Sequence, residues 1–558
     1  MVQSKKVITL IFLTLGIHCV FAQRLFAQRW TAVRGEGYNV ITDAGAPTAQ
    51  KMALRVERMR ALLGGSAPLL PLRVVLVASD SLFAGLRPSA TSGGFYQSSA
   101  DEDWIVVRWG RPDSERAMSH ELVHAFLEHS GPRRPLWLEE GIAEFYSTAL
   151  QESKGWIIGK PIETHVRVLN QNTWLGEREF FEARHDSPLR DESARAGRFY
   201  AQSWAVMHYL LTTPGVREKT PALFTALGDG VPFARACEAV LGQRQGLLLE
   251  AARRAVELAR FQTARIAASA ATGPPPPAVV LSDEQGDAML VSLSLAVGRP
   301  GMALQAARSP AQRGLLALRN DSRAEAEKLL GEAVANGIPD AAPYFELAML
   351  LREGRREPDR VAALLRQTIE RNPNHAEAHF ILGLRAAAAG DNEDAIDYYQ
   401  KAAQILPRQA NFWHALALAL ERGNRLPEAR HAAMRCRLAA RNPAERQMAA
   451  AIDRLVSEPA MAALTKKPEV QIPASWQGLL GDTSADGELV EFDCAAMPPV
   501  AKISTAGGTL ALRVEKPSAI RITGTGSIQH TLACGGQKLA VRVEFVRLTG
   551  AMTAIEFR

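Results

Sequence analysis

This sequence contains little cysteine, few long hydrophobic runs and only a small excess of positive over negative charge. Its 558 residues include five cysteines, far too few for a disulfide-rich scaffold. Hydrophobic residues make up 47% and charged residues 22% of the chain. This is the composition of an ordinary globular protein, and it excludes collagen-like, wholly disordered and polytopic membrane classes. At about 150 residues per domain, the length predicts three to four domains.

The one long apolar run lies at the start of the chain. Lys5 and Lys6 precede an apolar core from Val7 to Phe21, and Ala22 follows it. This pattern predicts a secretory signal peptide over residues 1–22, and its core is too short for a comfortable membrane span. We therefore expect an exported protein, periplasmic or extracellular, with no stable membrane span after signal cleavage.

The charge balance excludes one class of partner. Removing residues 1–22 takes away two lysines and no acids, which leaves 63 basic and 59 acidic side chains, a net charge of +4. That excess is too small to indicate a nucleic-acid partner.

Four cysteines remain after removal of residues 1–22, and of these only Cys494 and Cys534 lie within one short segment. These two are the possible disulfide, and the alternative is four buried thiols.

The first part of the chain, residues 23–271, alternates strand-like and helix-like patterns. Short β-branched runs at 72–79 and 103–109 predict strands. Amphipathic stretches at 48–63 and 114–129 predict helices. We therefore expect an α+β domain here.

A proline run, Pro274–Pro277, predicts a linker over residues 272–280. Beyond it, a 34-residue unit starts at Ala376, and its pattern recurs one repeat earlier and one repeat later. Small residues at the eighth and twentieth positions let two helices approach, and a proline stops the second helix. The residues that carry the pattern are Leu382, Gly383, Ala395, Tyr399, Ala402 and Pro407, with Trp413, Leu416 and Ala429 one repeat later and Phe345 and Pro373 one repeat earlier.

This spacing resembles the tetratricopeptide (TPR) family. The resemblance implies an α-helical solenoid over residues 281–457, with three clear repeats and one or two degenerate ones in 281–340, and protein partners bound on a curved surface. The alternative is a spacer or packing platform. After the solenoid, alternating segments with glycine turns predict a small all-β domain over 466–558, an antiparallel sandwich or barrel.

The segment HELVH at 120–124 contains the candidate metal ligands and general base. Its pattern predicts a helix from about Asp113 to the stop at Ser130-Gly131-Pro132. His120 and His124 are four residues apart, so both imidazoles project from one face and can share a metal ion. Glu121 lies about 100° around the helix from His120, close enough to act as general base on a metal-bound water without being a ligand.

A catalytic zinc ion needs a third protein ligand and an open position for water. The metzincin pattern is excluded, because it would put Gly and His where this chain has Leu127 and Ser130. The segment WLEEGIAEFYS at 137–147 contains two candidates, Glu139 and Glu140. Together with HELVH it resembles the gluzincin metallopeptidases of the peptidase-MA-like group, in which a W-L-x-E-G-x-A segment supplies a zinc-binding glutamate. The resemblance implies one Zn²⁺ per chain held by His120, His124 and Glu140, with Glu139 as the rival third ligand.

Two further residues take their roles from the same resemblance. Glu144, one helical turn beyond Glu140, matches an acid that accepts a hydrogen bond from a ligand imidazole; the alternative is a solvated carboxylate on the helix face. Tyr200 matches a tyrosine presented to the developing oxyanion, although Gln202 and Ser203 replace the Lys-Gly of the family. The alternative for Tyr200 is an ordinary half-buried aromatic residue.

The segment GGFY, with Gly93 and Gly94, precedes the predicted strand 103–109 and resembles the sheet edge that binds substrate backbone in these enzymes. It lacks the glutamate with which the aminopeptidases hold a free amine, which favours an endopeptidase. The remaining histidines are not at ligand spacing, and we expect surface or packing roles for them. They are His129, His165, His185 and His208.

The sequence thus predicts an exported zinc metallopeptidase that hydrolyses peptide bonds by glutamate-assisted attack of a zinc-bound water. The TPR repeats would bind substrates or partners. The alternative is a non-catalytic TPR scaffold or adaptor of the cell envelope with a vestigial peptidase domain.

Overall fold

The computed structural model describes residues 29–558 except 65–69, 89–92, 153–154, 185, 188, 190–193, 267–274, 464–482, 497, 516–519, 525–533 and 547–550. The predicted signal peptide, His185 and part of the predicted linker lie outside the described residues. The chain divides into two compact units, Met1–Ser457 and Glu458–Arg558. Within the described residues, none of the helices combines the length and the hydrophobicity that a membrane span requires.

The first unit begins with a mixed α/β part, and the strands and helices predicted within residues 48–129 are confirmed to within two residues at each end. In chain order its elements are β1 (Thr31–Gly35), β2 (Tyr38–Thr42), α1 (Ala46–Leu62), β3 (Leu72–Val77), α2 (Asp80–Leu86), β4 (Gly94–Ser98), β5 (Asp103–Arg108), α3 (Ser114–His129), α4 (Leu136–Ser147), β6 (Leu150–Glu152), β7 (Gly155–Ile158), α5 (Glu163–Gln171), α6 (Glu177–Phe181), α7 (Ala194–Thr212), α8 (Thr220–Gly228), α9 (Phe233–Ala236), a π-helical turn (Cys237–Leu241), α10 (Gln245–Glu257), β8 (Ala264–Ile266) and β9 (Ala278–Val280).

A six-stranded sheet in the order β4-β5-β3-β2-β1-β9 forms the centre of this part. Strands β2, β3 and β5 are parallel, while β4, β1 and β9 pair antiparallel with their neighbours. Val74 and Leu76 pack on one face with α1, α3 and α4, and Val75 and Val77 pack on the other. Burial of both faces explains why β3 is an unbroken apolar run. Strand β4 forms one edge of the sheet and lies against α3.

The structure corrects the predicted boundary between the α/β part and the repeats. Strand β9 pairs with β1, so the last three residues of the predicted linker 272–280 belong to the sheet. The next helix, α11 (Asp283–Ala296), buries Met289 and Leu293 in the same cluster as Trp30. Helix α11 therefore completes the core of the α/β part, and the repeats begin after it rather than at residue 281.

A TPR-like helical region follows a 3₁₀ turn (Pro300–Met302). Helices α14, α16 and α18 begin 34 residues apart, as predicted. A Cβ on Gly383 would lie 2.7 Å from the ring of Tyr399 on the paired helix, which is why the eighth position requires a small residue. Residues 281–340 hold one helix pair of this region. The helices are α12 (Pro310–Arg319), α13 (Arg323–Ala335), α14 (Ala342–Glu353), α15 (Pro358–Arg371), α16 (Ala376–Ala389), α17 (Asn392–Ile405), α18 (Ala410–Arg422), α19 (Leu426–Ala439) and α20 (Pro443–Ala463).

The second unit is a sheet of six strands in the order β12-β11-β10-β14-β15-β13. The prediction of a purely antiparallel domain is wrong, because β15 pairs in parallel with both β12 and β13. Cys494 and Cys534 form a disulfide with a Cα–Cα distance of 5.6 Å, while Cys237 and Cys436 are buried free thiols. The strands are β10 (Thr483–Asp493), β11 (Val500–Thr505), β12 (Gly508–Arg513), β13 (Arg521–Gly524), β14 (Gly535–Val546) and β15 (Ala551–Phe557).

Candidate active site

Helix α3 carries two histidines on the side that it turns away from the core. Leu122 and Val123 are buried in the main core cluster, whereas His120 and His124 are half-buried and line a cavity. The helix starts after Asp113, whose side chain makes no capping hydrogen bond. The apolar pattern of α3 therefore leaves both imidazoles on one accessible side.

Helix α4 is buried along nearly its whole length, including Glu139, Glu140 and Glu144. Gly141 permits this burial, because a Cβ there would lie 2.6 Å from the carbonyl oxygen of Ser203 on α7. Buried carboxylates are costly unless they are paired. Each of the three glutamates accordingly has its own set of partners.

One oxygen of Glu140 lies close to both imidazoles. Nε2 of His120 and Nε2 of His124 are 3.0 Å apart, and Oε2 of Glu140 lies 3.6 Å from the first and 3.2 Å from the second. Around a tetrahedral zinc ion with ligand distances of about 2.0–2.2 Å, ligand atoms are about 3.3–3.6 Å apart. The three atoms therefore fit a shared metal ion. Among the described residues, His120, His124 and Glu140 are the group of His, Cys, Asp or Glu side chains whose ligand atoms lie close enough together to hold one.

The electrostatics of this group also favour a bound cation. Burial raises the pKa of Glu140, but the two imidazoles outweigh it and hold that pKa well below its usual range. Burial lowers the pKa of His120, but Glu144, Glu140 and Glu121 raise it to about 9. The negative field of these carboxylates, which raises the pKa of His120, also favours a bound divalent cation.

Glu139 has a different partner. Its Oε1 accepts a hydrogen bond of 3.0 Å from the backbone N–H of Arg134 and lies 2.6 Å from Nη2 of Arg408, a residue of the turn before α18. Adjacent residues on a helix point about 100° apart. The structure therefore separates the two rivals for the third ligand position: Glu140 faces the imidazoles and Glu139 forms an ion pair with Arg408.

Glu121 lines the same cavity as the imidazoles. A Cβ on Gly94 would lie 3.6 Å from Cγ of Glu121, so this side chain lies between α3 and the edge strand β4. Burial raises the pKa of Glu121, and although His120 and His124 lower it, the net pKa is above the ordinary value. A carboxylate that binds a proton more readily is suited to general acid–base chemistry near neutral pH.

Glu144 connects one of these imidazoles to a further histidine. Its Oε1 lies 3.5 Å from Nδ1 of His120, and its Oε2 lies 3.2 Å from Nε2 of His165 and accepts a 2.8 Å hydrogen bond from Nη1 of Arg116. Burial raises the pKa of Glu144, but His165, His120 and Arg116 lower it to about 2. The alternative of a solvated carboxylate is wrong for Glu144, and His165, whose ring packs against Trp204, also contacts this carboxylate.

The cavity has a volume of about 410 Å³. Gly94 of the edge strand and the half-buried Tyr200 of α7 line it together with the histidines. Gly93 is not among the lining residues: it is exposed, and its carbonyl oxygen accepts a 2.9 Å hydrogen bond from the backbone N–H of Arg108. Of the two predicted substrate-binding glycines, the structure places one at the cavity.

Two of the remaining histidines have packing roles, as predicted. Nε2 of His129 lies 2.5 Å from Oδ2 of Asp103, and its Nδ1 lies 3.3 Å from the carbonyl oxygen of Ile405. His208 is buried on α7, with its Nε2 3.0 Å from the carbonyl oxygen of Gly159.

The turn between α17 and α18 contributes to the wall of the site. Arg408 is 3% exposed, and its Nη1 lies 3.2 Å from Oε2 of Glu128, one helical turn beyond His124 on α3. Arg408 lines the cavity together with Val297, which follows α11. Sequence reasoning missed Arg408, because its partners Glu128 and Glu139 lie 280 and 269 positions earlier and no local pattern links them.

Comparison with known proteins finds matches to parts of the chain. A family model described as "Protein of unknown function (DUF1570)" matches residues 116–229. No curated protein matches the chain. Among solved structures, MamA AMB-1 in the P212121 crystal form is similar at 20% identity over 28% of this chain and 92% of that chain, with a TM-score of 0.24. MamA from Desulfovibrio magneticus RS-1, from residue 41 to its end, is similar at 17% identity over 27% of this chain and 94% of that chain, with a TM-score of 0.22. YrrB, described as a TPR protein with an unusual peptide-binding site, is similar at 17% identity over 30% of this chain and 86% of that chain, with a TM-score of 0.23.

Proposed function

We propose that this chain is an exported zinc metallopeptidase that cleaves peptide bonds within polypeptides. The observation that carries the proposal is the convergence of His120, His124 and Glu140, whose three ligand atoms lie within 3.6 Å of one another in a cavity that also contains Glu121. Two imidazoles, one carboxylate and an accessible cavity match the ligand set and open position of a catalytic zinc site.

The residues of the cavity then take distinct roles. His120, His124 and Glu140 would hold the zinc ion, which when bound acidifies a water molecule and polarises a carbonyl group as a Lewis acid. Glu121 accepts a proton from the attacking water and passes it to the leaving amine. Tyr200 donates a hydrogen bond to the carbonyl oxygen as negative charge develops there.

Glu144 and His165 position His120 rather than contact the substrate. The ionised Oε1 of Glu144, 3.5 Å from Nδ1 of His120, favours the tautomer with its proton on Nδ1, which leaves Nε2 as the atom that binds the ion. His165 lies on the other oxygen of Glu144 and holds that carboxylate in place.

The edge strand β4 supplies a binding surface for an extended polypeptide. It is the terminal strand of the sheet, and Gly94 brings its backbone to the cavity. Added strands pair through main-chain hydrogen bonds, so this surface selects extended chains rather than particular side chains. The absence of a glutamate from the segment GGFYQSS favours internal cleavage over trimming from the amino terminus.

The deciding experiment is elemental analysis of the purified protein without residues 1–22. We expect about one zinc ion per chain, as a single site of this type implies. Glu140→Gln should lose zinc, whereas Glu139→Gln, the same change one residue earlier, should retain it. Absence of zinc from the wild type after reconstitution with metal would overturn the proposal.

A second candidate, a protein-binding scaffold, is favoured by a groove of about 320 Å³ on the helical array. Phe345, Phe380 and Phe412, contributed by three successive repeats, line it. We infer that it holds an apolar polypeptide segment, either of a substrate or of a partner. Full-length protein that binds no zinc and cleaves nothing, yet keeps a stoichiometric protein partner that Phe380→Ala releases, would favour the scaffold over the peptidase.

A further inference from the structure

A second group of charged side chains lines the same cavity, beyond the two imidazoles along α3. Nη1 of Arg408 lies 3.2 Å from Oε2 of Glu128, and Nη2 of Arg408 lies 2.6 Å from Oε1 of Glu139. Nη2 of Arg133 lies 4.0 Å from Oε1 of Glu128, a much looser contact. Both arginines line the cavity, and their side chains are 4% and 11% exposed respectively.

Two guanidinium groups of this cavity share one carboxylate. Arg133 and Arg408 both approach Glu128. Burial lowers the pKa of Arg133, and the attraction of Glu128 does not restore it to its ordinary value. A guanidinium group in this position would gain from one more anion.

The hydrogen-bonding capacity of the two arginines is also not filled. Nε of Arg133 and Nε of Arg408 are buried, and neither has a hydrogen-bond partner among the described residues. A buried donor without an acceptor costs about 1–3 kcal/mol. A carboxylate is a suitable acceptor, because its two oxygens match the planar fork of a guanidinium group such as that of Arg133, whose contact with Glu128 is loose.

We propose that Arg133 and Arg408 bind a carboxylate group of the substrate, supplied either by an acidic side chain or by the carboxyl terminus. The proposal rests on the peptidase function proposed above. Glu128, which both arginines approach, lies four residues beyond His124, a rise of about 6 Å along the helix. An extended chain advances about 3.3 Å per residue, so the bound carboxylate belongs about two residues from the cleaved bond.

The test measures peptide binding directly, in the Glu121→Gln protein, so that cleavage plays no part. The probes are fluorescein-labelled eight-residue peptides of alanine and glycine that carry one glutamate, at each position in turn. One matched set has glutamine at those positions, and another has no glutamate but a free carboxyl terminus in place of an amide. Fluorescence anisotropy with each set gives the affinity for an acidic side chain and for a terminal carboxylate separately.

We expect at least one acidic peptide to bind about tenfold more tightly than its neutral partner, as for a charge-assisted hydrogen bond of about 1.4 kcal/mol. Arg133→Gln should reduce that preference to less than about twofold, and Arg133→Lys should restore part of it. Arg111→Gln removes the same charge from a side chain that is 60% exposed and does not line the cavity, and it should keep the preference.

Equal binding of acidic and neutral peptides, binding of neither, or a preference that survives Arg133→Gln would each overturn the carboxylate site. These outcomes are separate from failure of the peptidase proposal, which zinc content and cleavage decide. A protein that prefers acidic peptides but holds no zinc would keep the carboxylate site and lose the peptidase.

Discussion

Two groups of buried charged residues lie on the same two helices, α3 and α4, and they are completed in different ways. The first consists of the two imidazoles of α3 with Glu140, Glu144 and Glu121. The second consists of Glu128 of α3 and Glu139 of α4, with Arg408 from the helical array. On α4, Glu139 and Glu140 are adjacent in sequence but belong to different groups.

The comparison shows two ways to compensate a buried carboxylate. In the second group the cation is Arg408 of the chain itself, and its ion pairs join the array to α3 and α4. In the first group Glu144 pairs with His165 and Arg116, and the ligand atoms of His120, His124 and Glu140 converge on a point where a metal ion fits. We propose a catalytic role for the first arrangement, whereas the buried ion pairs of the second connect three segments of the fold.

Glu121→Gln should have the largest effect on activity, because it removes the proton acceptor and leaves the three metal-ligand atoms of the first group intact. We expect hydrolysis of casein to fall by about 10²–10⁴-fold, with zinc content unchanged by elemental analysis. Cleavage at the wild-type rate would show that the assigned base is wrong.

Arg408→Ala tests the second group. It leaves Glu128 and Glu139 buried without their cation, so we expect the free energy of unfolding of the first unit to fall by about 3–5 kcal/mol in urea denaturation. Arg425→Ala, which breaks the exposed pair with Glu428 in the array, should leave the unfolding midpoint nearly unchanged. Equal midpoints for the two variants would contradict a structural role for Arg408.

Glu144→Gln sharpens the account of the first group, because it removes the negative charge that holds Nδ1 of His120. We expect zinc affinity to fall by about 10–100-fold in competition with a chelating dye. Glu163→Gln, two residues from His165 but exposed, is the matched control. An unchanged affinity in Glu144→Gln would mean that the imidazole is positioned by other contacts.

His129→Gln should have a small, pH-dependent effect on stability. Burial lowers the pKa of His129, but Asp103 raises it above the ordinary value. A raised pKa means that the protonated imidazole stabilises the folded state fully below pH ~6.5 and that this contribution is lost as pH rises through the folded pKa. We expect the substitution to cost about 1–2 kcal/mol near pH 6 and less near pH 9, in urea denaturation at both values. A larger loss at the higher pH would contradict the assigned pair.

Much of the fold could be predicted from local patterns. Strand β3 and helix α3 follow from a continuous apolar run and from an amphipathic period, and the 34-residue spacing of α14, α16 and α18 follows from small and aromatic residues at set positions. The linker boundary could not be predicted in this way, because β9 is three residues long and becomes a strand through pairing with β1, far away in sequence. In the second unit, the parallel pairing of β15 with β12 and β13 has no local signal.

In the candidate site, too, local spacing predicts some of the residues and tertiary contacts decide the others. Four-residue spacing on a helix places His120 and His124 together, and their neighbour Glu121 follows from the same geometry. The choice of Glu140 over Glu139 rested on a resemblance, and the contacts of Glu140 with the two imidazoles and of Glu139 with Arg408 give it a geometric basis.

The sequence by itself determined the helix that carries HELVH and the repeat period of the array, and it indicated Cys494 and Cys534 as the possible disulfide. These are properties of residues near one another along the chain, or of a short pattern that repeats. Only the tertiary structure decided that His165 pairs with Glu144, that α11 completes the core of the α/β part, and that Arg408 reaches the candidate site. Those contacts depend on burial, which brings charges from distant segments together because an unpaired charge in the interior is costly.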